Sequence, residues 1–236
     1  MTSDTEAAQK FYRAVLGGGT GAFAMPDMSY TQFTADQVLT SNFVSRQNAL
    51  QPRPGWIGYV AVDDLDESVA SVIRAGGSVR RAPNKLANAD RFAVVSDPQG
   101  GTLALFHRGS VSTAPRKTSP SVWHELHVAD REAAFAFYAG LFAWQKGEAL
   151  DMGQMGLYQI FEKDHDMLGG MMTKPANIPG PFWLYYFNVA AIKPAMALVS
   201  EGGGKILNGP HQVPGGSWIV QCVDPQGGLF ALVETK

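Results

Sequence analysis

The sequence predicts an α+β fold of two tandem domains, and three observations carry that prediction. The pentapeptide Asp97-Pro98-Gln99-Gly100-Gly101 recurs 127 residues later as Asp224–Gly228, and each copy precedes a short apolar run, Thr102–Phe106 and Leu229–Val233. The similarity extends upstream: Trp56–Val62 aligns with Trp183–Val189, Gly76-Gly77 with Gly203-Gly204, and Glu6–Tyr12 with Glu132–Tyr138. Between these landmarks, strand and helix periods follow one another in the order β-α-β-β-β. A repeat this long marks a duplicated domain, since solenoid units run to roughly 20–50 residues. The boundaries read as a domain at 1–108, a linker at 109–120 and a second domain at 121–236.

The elements follow in order. Asp4 is the N-cap of a first helix in which Ala7, Ala8, Phe11 and Val15 recur at helical spacing, and Gly17-Gly18-Gly19 ends it. Residues 21–50 read as short strands, one holding Tyr30 and Phe33 and another Phe43-Val44, before the turn-rich connection Gln51–Gly55. A strand at Trp56–Val62 leads to a helix over 65–75, with Leu65, Val69, Val72 and Ile73 on one face and Gly76-Gly77 at its end. Strands at 78–79, 92–95 and 102–106 follow. DPQGG forms the hairpin turn between the last two, because Pro presets φ and Gly supplies φ > 0.

After the linker GSVSTAPRKTSP the pattern restarts. It gives a strand at Val122–Val128, a helix at Asp130–Phe142, three strand-like pieces within 146–172, a strand at Phe182–Val189 and a helix at Ile192–Ser200. Pro194 falls in the first turn of that helix, where it is tolerated. Gly202-Gly203-Gly204 stops the helix and is no phosphate cradle, because it follows the helix instead of opening it. Strands at 205–207, 218–223 and 229–233 finish the chain.

Composition narrows the function. With 45% hydrophobic and 17% charged residues, 236 residues suffice for two domains with their own cores and do not read as disordered. A formal charge of −2 without a basic cluster offers no footprint for nucleic acid or an anionic membrane. No apolar stretch approaches the roughly 20 residues of a membrane span, and the polar N-terminus lacks the pattern of a signal peptide. Cys222 stands alone in an apolar strand and reads as a buried, inert thiol. A cytoplasmic protein is expected, a monomer or homodimer whose partner is a small molecule.

Paired βαβββ units, the helix DREAAFAFYAGLFAW after strand 122–128, and DPxG before the last strand resemble the vicinal oxygen chelate superfamily. That superfamily holds glyoxalase I, the bleomycin-resistance proteins and the extradiol dioxygenases. The resemblance covers nearly the whole chain and implies that paired units form a curved mixed sheet around a cleft. In metal-dependent members, side chains on the first and last strands of the units hold a divalent ion. Carried onto this chain, the first-strand position falls on Trp123, Leu184 and Ile57, and the last-strand position on Ala231 and Ala104. None of these side chains can ligate a metal. No cofactor is therefore expected, a divalent metal at a relocated site being the alternative. The first half also lacks a counterpart of the 122–128 strand. The expectation is that the native chain begins upstream of Met1, or that the linker or a second subunit fills the gap.

Trp123-His124-Glu125-Leu126-His127 is the densest group of functional side chains. Strand alternation puts Trp123, Glu125 and His127 on one face, which the resemblance makes the cleft face, and His124 on the packing face. Glu125 and His127 are the candidate catalytic residues, able to act as acid and base or as two ligands of a displaced metal; the other reading is a hydrogen-bonded pair that orders the cleft. A third donor would come from Gln221, Asn188 or His211. The expected ligand-binding residues are Trp123, Tyr158, Met171, Trp183, Tyr186, Asn188, Gln221 and, in the first half, Tyr59. An apolar, aromatic lining with a few placed polar groups suits a small organic ligand.

Two functions follow. One is a metal-independent binding protein of the bleomycin-resistance type, taking up a small aromatic or antibiotic-like molecule. The other is a glyoxalase- or dioxygenase-type enzyme working through Glu125 and His127. Binding leads, because the equivalent positions supply no metal site.

Overall fold

The computed structural model describes residues 2–17, 19–25, 28–35, 38–44, 54–85, 90–109 and 121–235, with 19–44 described at the backbone. Residues 51–53 of the proline-rich connection, and the linker beyond Gly109, lie outside the described residues. The elements run α1 (Thr5–Leu16), β1 (Gly19–Met25), β2 (Met28–Ala35), β3 (Val38–Val44), β4 (Tyr59–Ala61), α2 (Leu65–Arg74), β5 (Ser78–Lys85), β6 (Arg91–Ser96) and β7 (Thr102–His107). They continue with β8 (Ser121–Val128), α3 (Arg131–Phe142), β9 (Gln145–Asp151), β10 (Leu157–Lys163), β11 (Asp166–Thr173), β12 (Phe182–Asn188), α4 (Ile192–Glu201), β13 (Lys205–Gln212), β14 (Trp218–Val223) and β15 (Leu229–Glu234). This is the expected mixed α+β content. Asp4 caps α1 as predicted, and Asp64 and Asp130 do the same for α2 and α3: each accepts a backbone N–H of the first turn at 3.0 Å.

Two compact units divide the chain. One takes Met1–Trp56, Ala114–Val122 and Tyr185–Lys236; the other takes Ile57–Thr113 and Trp123–Leu184. The repeat and the compact units thus cut the chain differently, since each unit draws segments from both halves. In the unit carrying α2 and α3, the strand orders are β4-β7-β6-β5 and β8-β11-β10-β9. In both segments the first strand pairs in parallel with the last, and the remaining pairs are antiparallel. The unit carrying α1 and α4 has the antiparallel order β1-β2-β3 and the order β12-β15-β14-β13.

The core of the α2/α3 unit mixes both of its segments. Leu65, Val69 and Val72 of α2, Val95 of β6 and Leu105 of β7 join Leu126 and Val128 of β8, Phe137 and Tyr138 of α3, Phe161 and Met171. The repeated motifs make this pairing. The Tyr138 hydroxyl donates to the buried Asp97 carboxylate at 2.8 Å, and Asp97 accepts the Gln99 and Gly101 backbone N–H groups through its other oxygen. A Cβ on Gly101 would overlap that carboxylate, so the second glycine of DPQGG makes room for the aspartate. Phe137 stands over Gly77, where a Cβ would lie 2.7 Å from Ser96 O and 3.1 Å from the Phe ring.

The other unit repeats the device. Tyr12 donates to Asp224 at 2.8 Å, and Phe11 lies over Gly204, where a Cβ would come within 3.0 Å of its ring. The Phe-Tyr pair of one segment therefore docks on the Gly-Gly and DPQGG turns of another. This gives DPQGG a second structural task besides the turn. Burial and the Asp224 carboxylate both push the Tyr12 phenol well above its ordinary pKa.

One strand is shorter than its pattern suggests. Trp56 lies outside β4, and its indole N–H donates to Tyr12 OH at 3.0 Å while its ring meets Phe187 at 4.5 Å. The burial of a large amphipathic ring outweighs the extended pattern there.

Candidate functional site

The side chains of β8 separate by parity. Leu126 and Val128 enter the helix-side core, and His124 bonds the Leu168 carbonyl through Nδ1 at 2.7 Å, while burial pushes its pKa down. It is structural, as its parity predicts. Trp123, Glu125 and His127 leave by the opposite face. The parallel register with β11 sets Glu125 beside Gly170 and His127 beside Met172, and β10 puts Tyr158 beside Met172. A Cβ on Gly170 would overlap the Tyr158 ring, so this glycine is what lets the phenol lie across the strand.

These side chains form one connected set. The Trp123 indole N–H donates to Tyr158 OH at 2.6 Å, and Tyr158 OH donates to Glu125 Oε1 at 2.9 Å. Glu125 Oε2 lies 3.2 Å from His127 Nε2. Glu125 and His127 are 8% and 7% exposed, so the pair is withdrawn from water. The His127 ring stacks on Phe182 at 4.4 Å with 7° between planes. Tyr158, Ile160 and Met172 form an apolar cluster with Trp123 and Leu150 packed against it. A buried carboxylate–imidazole pair edged by aromatic and aliphatic surface can hold, orient or exchange a proton with a small molecule.

The remaining expected site residues lie elsewhere. Met171 is fully buried in the helix-side core, because its register partner is Leu126; Met172 holds the position on the site's face. Trp183 packs with Tyr138, Trp144 and Phe161 on the helix side. Tyr59 belongs to the same unit as Glu125, but its ring stands against Phe92 and Phe106. Tyr186, Asn188, Gln221 and His211 belong to the other compact unit. There Gln221 donates to Tyr186 OH at 3.2 Å, His211 and Asn208 meet at 2.7 Å, and Asn188 accepts from Thr235 at 3.1 Å. Sequence reasoning missed Met172, Phe182 and Gly170. The glycine pair Gly169-Gly170 inside a strand was the available signal for a close approach.

A divalent ion is the group that the resemblance read from the sequence would bring to such a face. Trp123, Ile57, Ala104, Leu184 and Ala231 hold the positions to which that resemblance assigns the ligands, and among the described residues no group of three or more His, Cys, Asp or Glu side chains could hold a metal. Glu125 and His127 make two donors where a catalytic site uses about three. Both Glu125 oxygens are already engaged. Among the described residues, those on this face do not make a full donor set for the metal.

Comparison with known proteins places this face in context. A family model described as a glyoxalase-like domain matches residues 1–106. A Mycobacterium tuberculosis protein named "Putative glyoxylase CFP32" is 25% identical over 245 residues, covering 99% of this chain and 92% of that protein. The anthracycline biosynthesis protein DauV of Streptomyces sp. (strain C5) is 26% identical over 251 residues, covering 99% and 90%. Among solved structures, a Mn(II)-bound glyoxalase from Novosphingobium aromaticivorans superposes with a TM-score of 0.61 at 16% identity, covering 99% of this chain and 79% of that one. The 2,2',3-trihydroxybiphenyl 1,2-dioxygenase of Sphingomonas wittichii strain RW1 gives 0.67 at 14% identity, covering 98% and 85%. At these identities the two structures share the fold.

Proposed function

With the fold of the vicinal oxygen chelate superfamily and a glyoxalase-like domain over residues 1–106 as premises, we propose that the chain binds a small planar aromatic molecule without a metal. The site is the face built by Trp123, Glu125, His127 and Tyr158. The observation that carries the reading is the hydrogen-bonded Trp123–Tyr158–Glu125–His127 set, standing beside strand positions that hold no metal donor. Ring surface from Trp123, Tyr158 and Phe182 suits a flat ligand, and the buried polar pair suits its polar edge. The relatives named for anthracycline biosynthesis support a fused-ring ligand.

Catalysis is the second reading, favoured by the 3.2 Å contact between Glu125 and His127. A carboxylate beside an imidazole can serve as general acid and base for a glyoxalase-like conversion. Binding leads, because the pair's neighbours are apolar and aromatic. Calorimetric titration of chelator-treated protein with fused-ring aromatics tests the first reading, and the Glu125→Ala/His127→Ala variant separates the two. Loss of affinity with no turnover in the parent protein supports binding. A measured rate that the variant abolishes supports catalysis.

A further inference from the structure

Resting on the reading of this face as a ligand site, we propose that it selects molecules presenting an O–H or N–H donor, which His127 Nδ1 accepts. The direction of each proton around Glu125 carries this. An indole N–H only donates, so the Tyr158 oxygen accepts from Trp123 at 2.6 Å. The hydroxyl has one proton, and it goes to Glu125 Oε1 at 2.9 Å. Glu125 as a carboxylate has nothing to donate, so its 3.2 Å contact with His127 Nε2 places a hydrogen on Nε2. A neutral imidazole carries one N–H, and Nδ1 is left with a bare lone pair.

That lone pair is buried and has no hydrogen-bond partner among the described residues. The imidazole's stacking neighbour is the Phe182 ring, and its register neighbour is Met172; neither offers a donor. A buried acceptor left unpaired is unfavourable, and a ligand hydroxyl relieves it. A ligand carbonyl or ether oxygen would set lone pair against lone pair and gain nothing. Glu125 is then a positioning residue, holding the tautomer that makes Nδ1 an acceptor. Selection by donor lies in this pair, whereas the aromatic surface takes any flat ring.

The test pairs 1-naphthol with 1-methoxynaphthalene, which differ in the donor, and reads the His127 tautomer by ¹⁵N NMR of histidine-labelled protein. Naphthol is expected to bind about tenfold tighter, the size of one net hydrogen bond. His127→Phe abolishes that preference. Glu125→Gln, whose amide can donate to Nε2, reverses the tautomer and shifts the preference toward the ether. Equal binding of both compounds by the parent protein overturns donor selection and leaves the aromatic site standing. Binding of neither compound overturns the site itself, and the proposal with it. A spectrum placing the His127 hydrogen on Nδ1 overturns the proposal whatever the affinities.

Discussion

Tyr138→Phe removes one oxygen atom and leaves the ring, with its stacking against Trp144 at 5.6 Å, in place. What it removes is the 2.8 Å bond to Asp97, a carboxylate only 4% exposed. Asp97 keeps the Gln99 and Gly101 backbone donors on Oδ1, but Oδ2 loses the Tyr138 donor in a place water does not reach. A buried hydrogen bond to a charged group is worth about 1.5–3 kcal/mol. With a urea slope of about 2 kcal/mol per molar, the unfolding midpoint of this unit should fall by about 1 M. Tyr12→Phe should act alike on the other unit through Asp224, and the two effects should add, since the contacts share no partner. Urea unfolding followed by tryptophan fluorescence reads both. A loss below about 0.5 kcal/mol for Tyr138→Phe would refute the view that the Tyr–Asp bond holds one segment on another.

Three further outcomes follow from the geometry. Gly170→Ala sets a methyl group into the Tyr158 ring and should push the phenol off Glu125; a melting point lowered by about 1–3 kcal/mol equivalent and altered Trp123 emission would report it. Met171→Ala should cost about 2–5 kcal/mol in unfolding experiments without changing ligand affinity, whereas Met172→Ala should weaken binding at a smaller stability cost. Alkali should destabilise the α1/α4 unit: the Cys222 thiol, ordinarily ionising at 9.0, is pushed by burial up to about 12, and Tyr12 is raised above 10.0. In both cases the unfolded chain releases its proton first, so stability is full below pH 9 and falls as pH rises through the window to about 12. Urea midpoints measured from pH 8 to 11 check the slope, which Cys222→Ala should reduce.

The repeat motifs were legible because they are local and strong: the first helix starts at its Asp4 cap, and DPQGG forms both turns. The grouping of segments was not, because nothing in the spacing of Tyr12 or Tyr138 says which aspartate each will reach. The β8 face was readable, since six consecutive residues alternate with a clear apolar set at Leu126 and Val128. In β11 the run Gly169-Gly170-Met171-Met172 offers no such contrast. A one-residue choice of parity then decides between core and site, and Met171 falls in the core. Trp183 illustrates a similar limit, for it shares the parity of Tyr185 and not of Leu184. Among the expected lining residues, Trp123 and Tyr158 are hydrogen-bonded into the Glu125 and His127 set.

The most direct test of the account is calorimetric titration of chelator-treated protein with 1-naphthol, repeated with Mn²⁺ and Zn²⁺ present and again with the Glu125→Ala/His127→Ala variant. The account predicts one saturable site per chain, unchanged by either metal and lost in the variant. Binding that appears only after metal is added, or that survives in the variant, would contradict it.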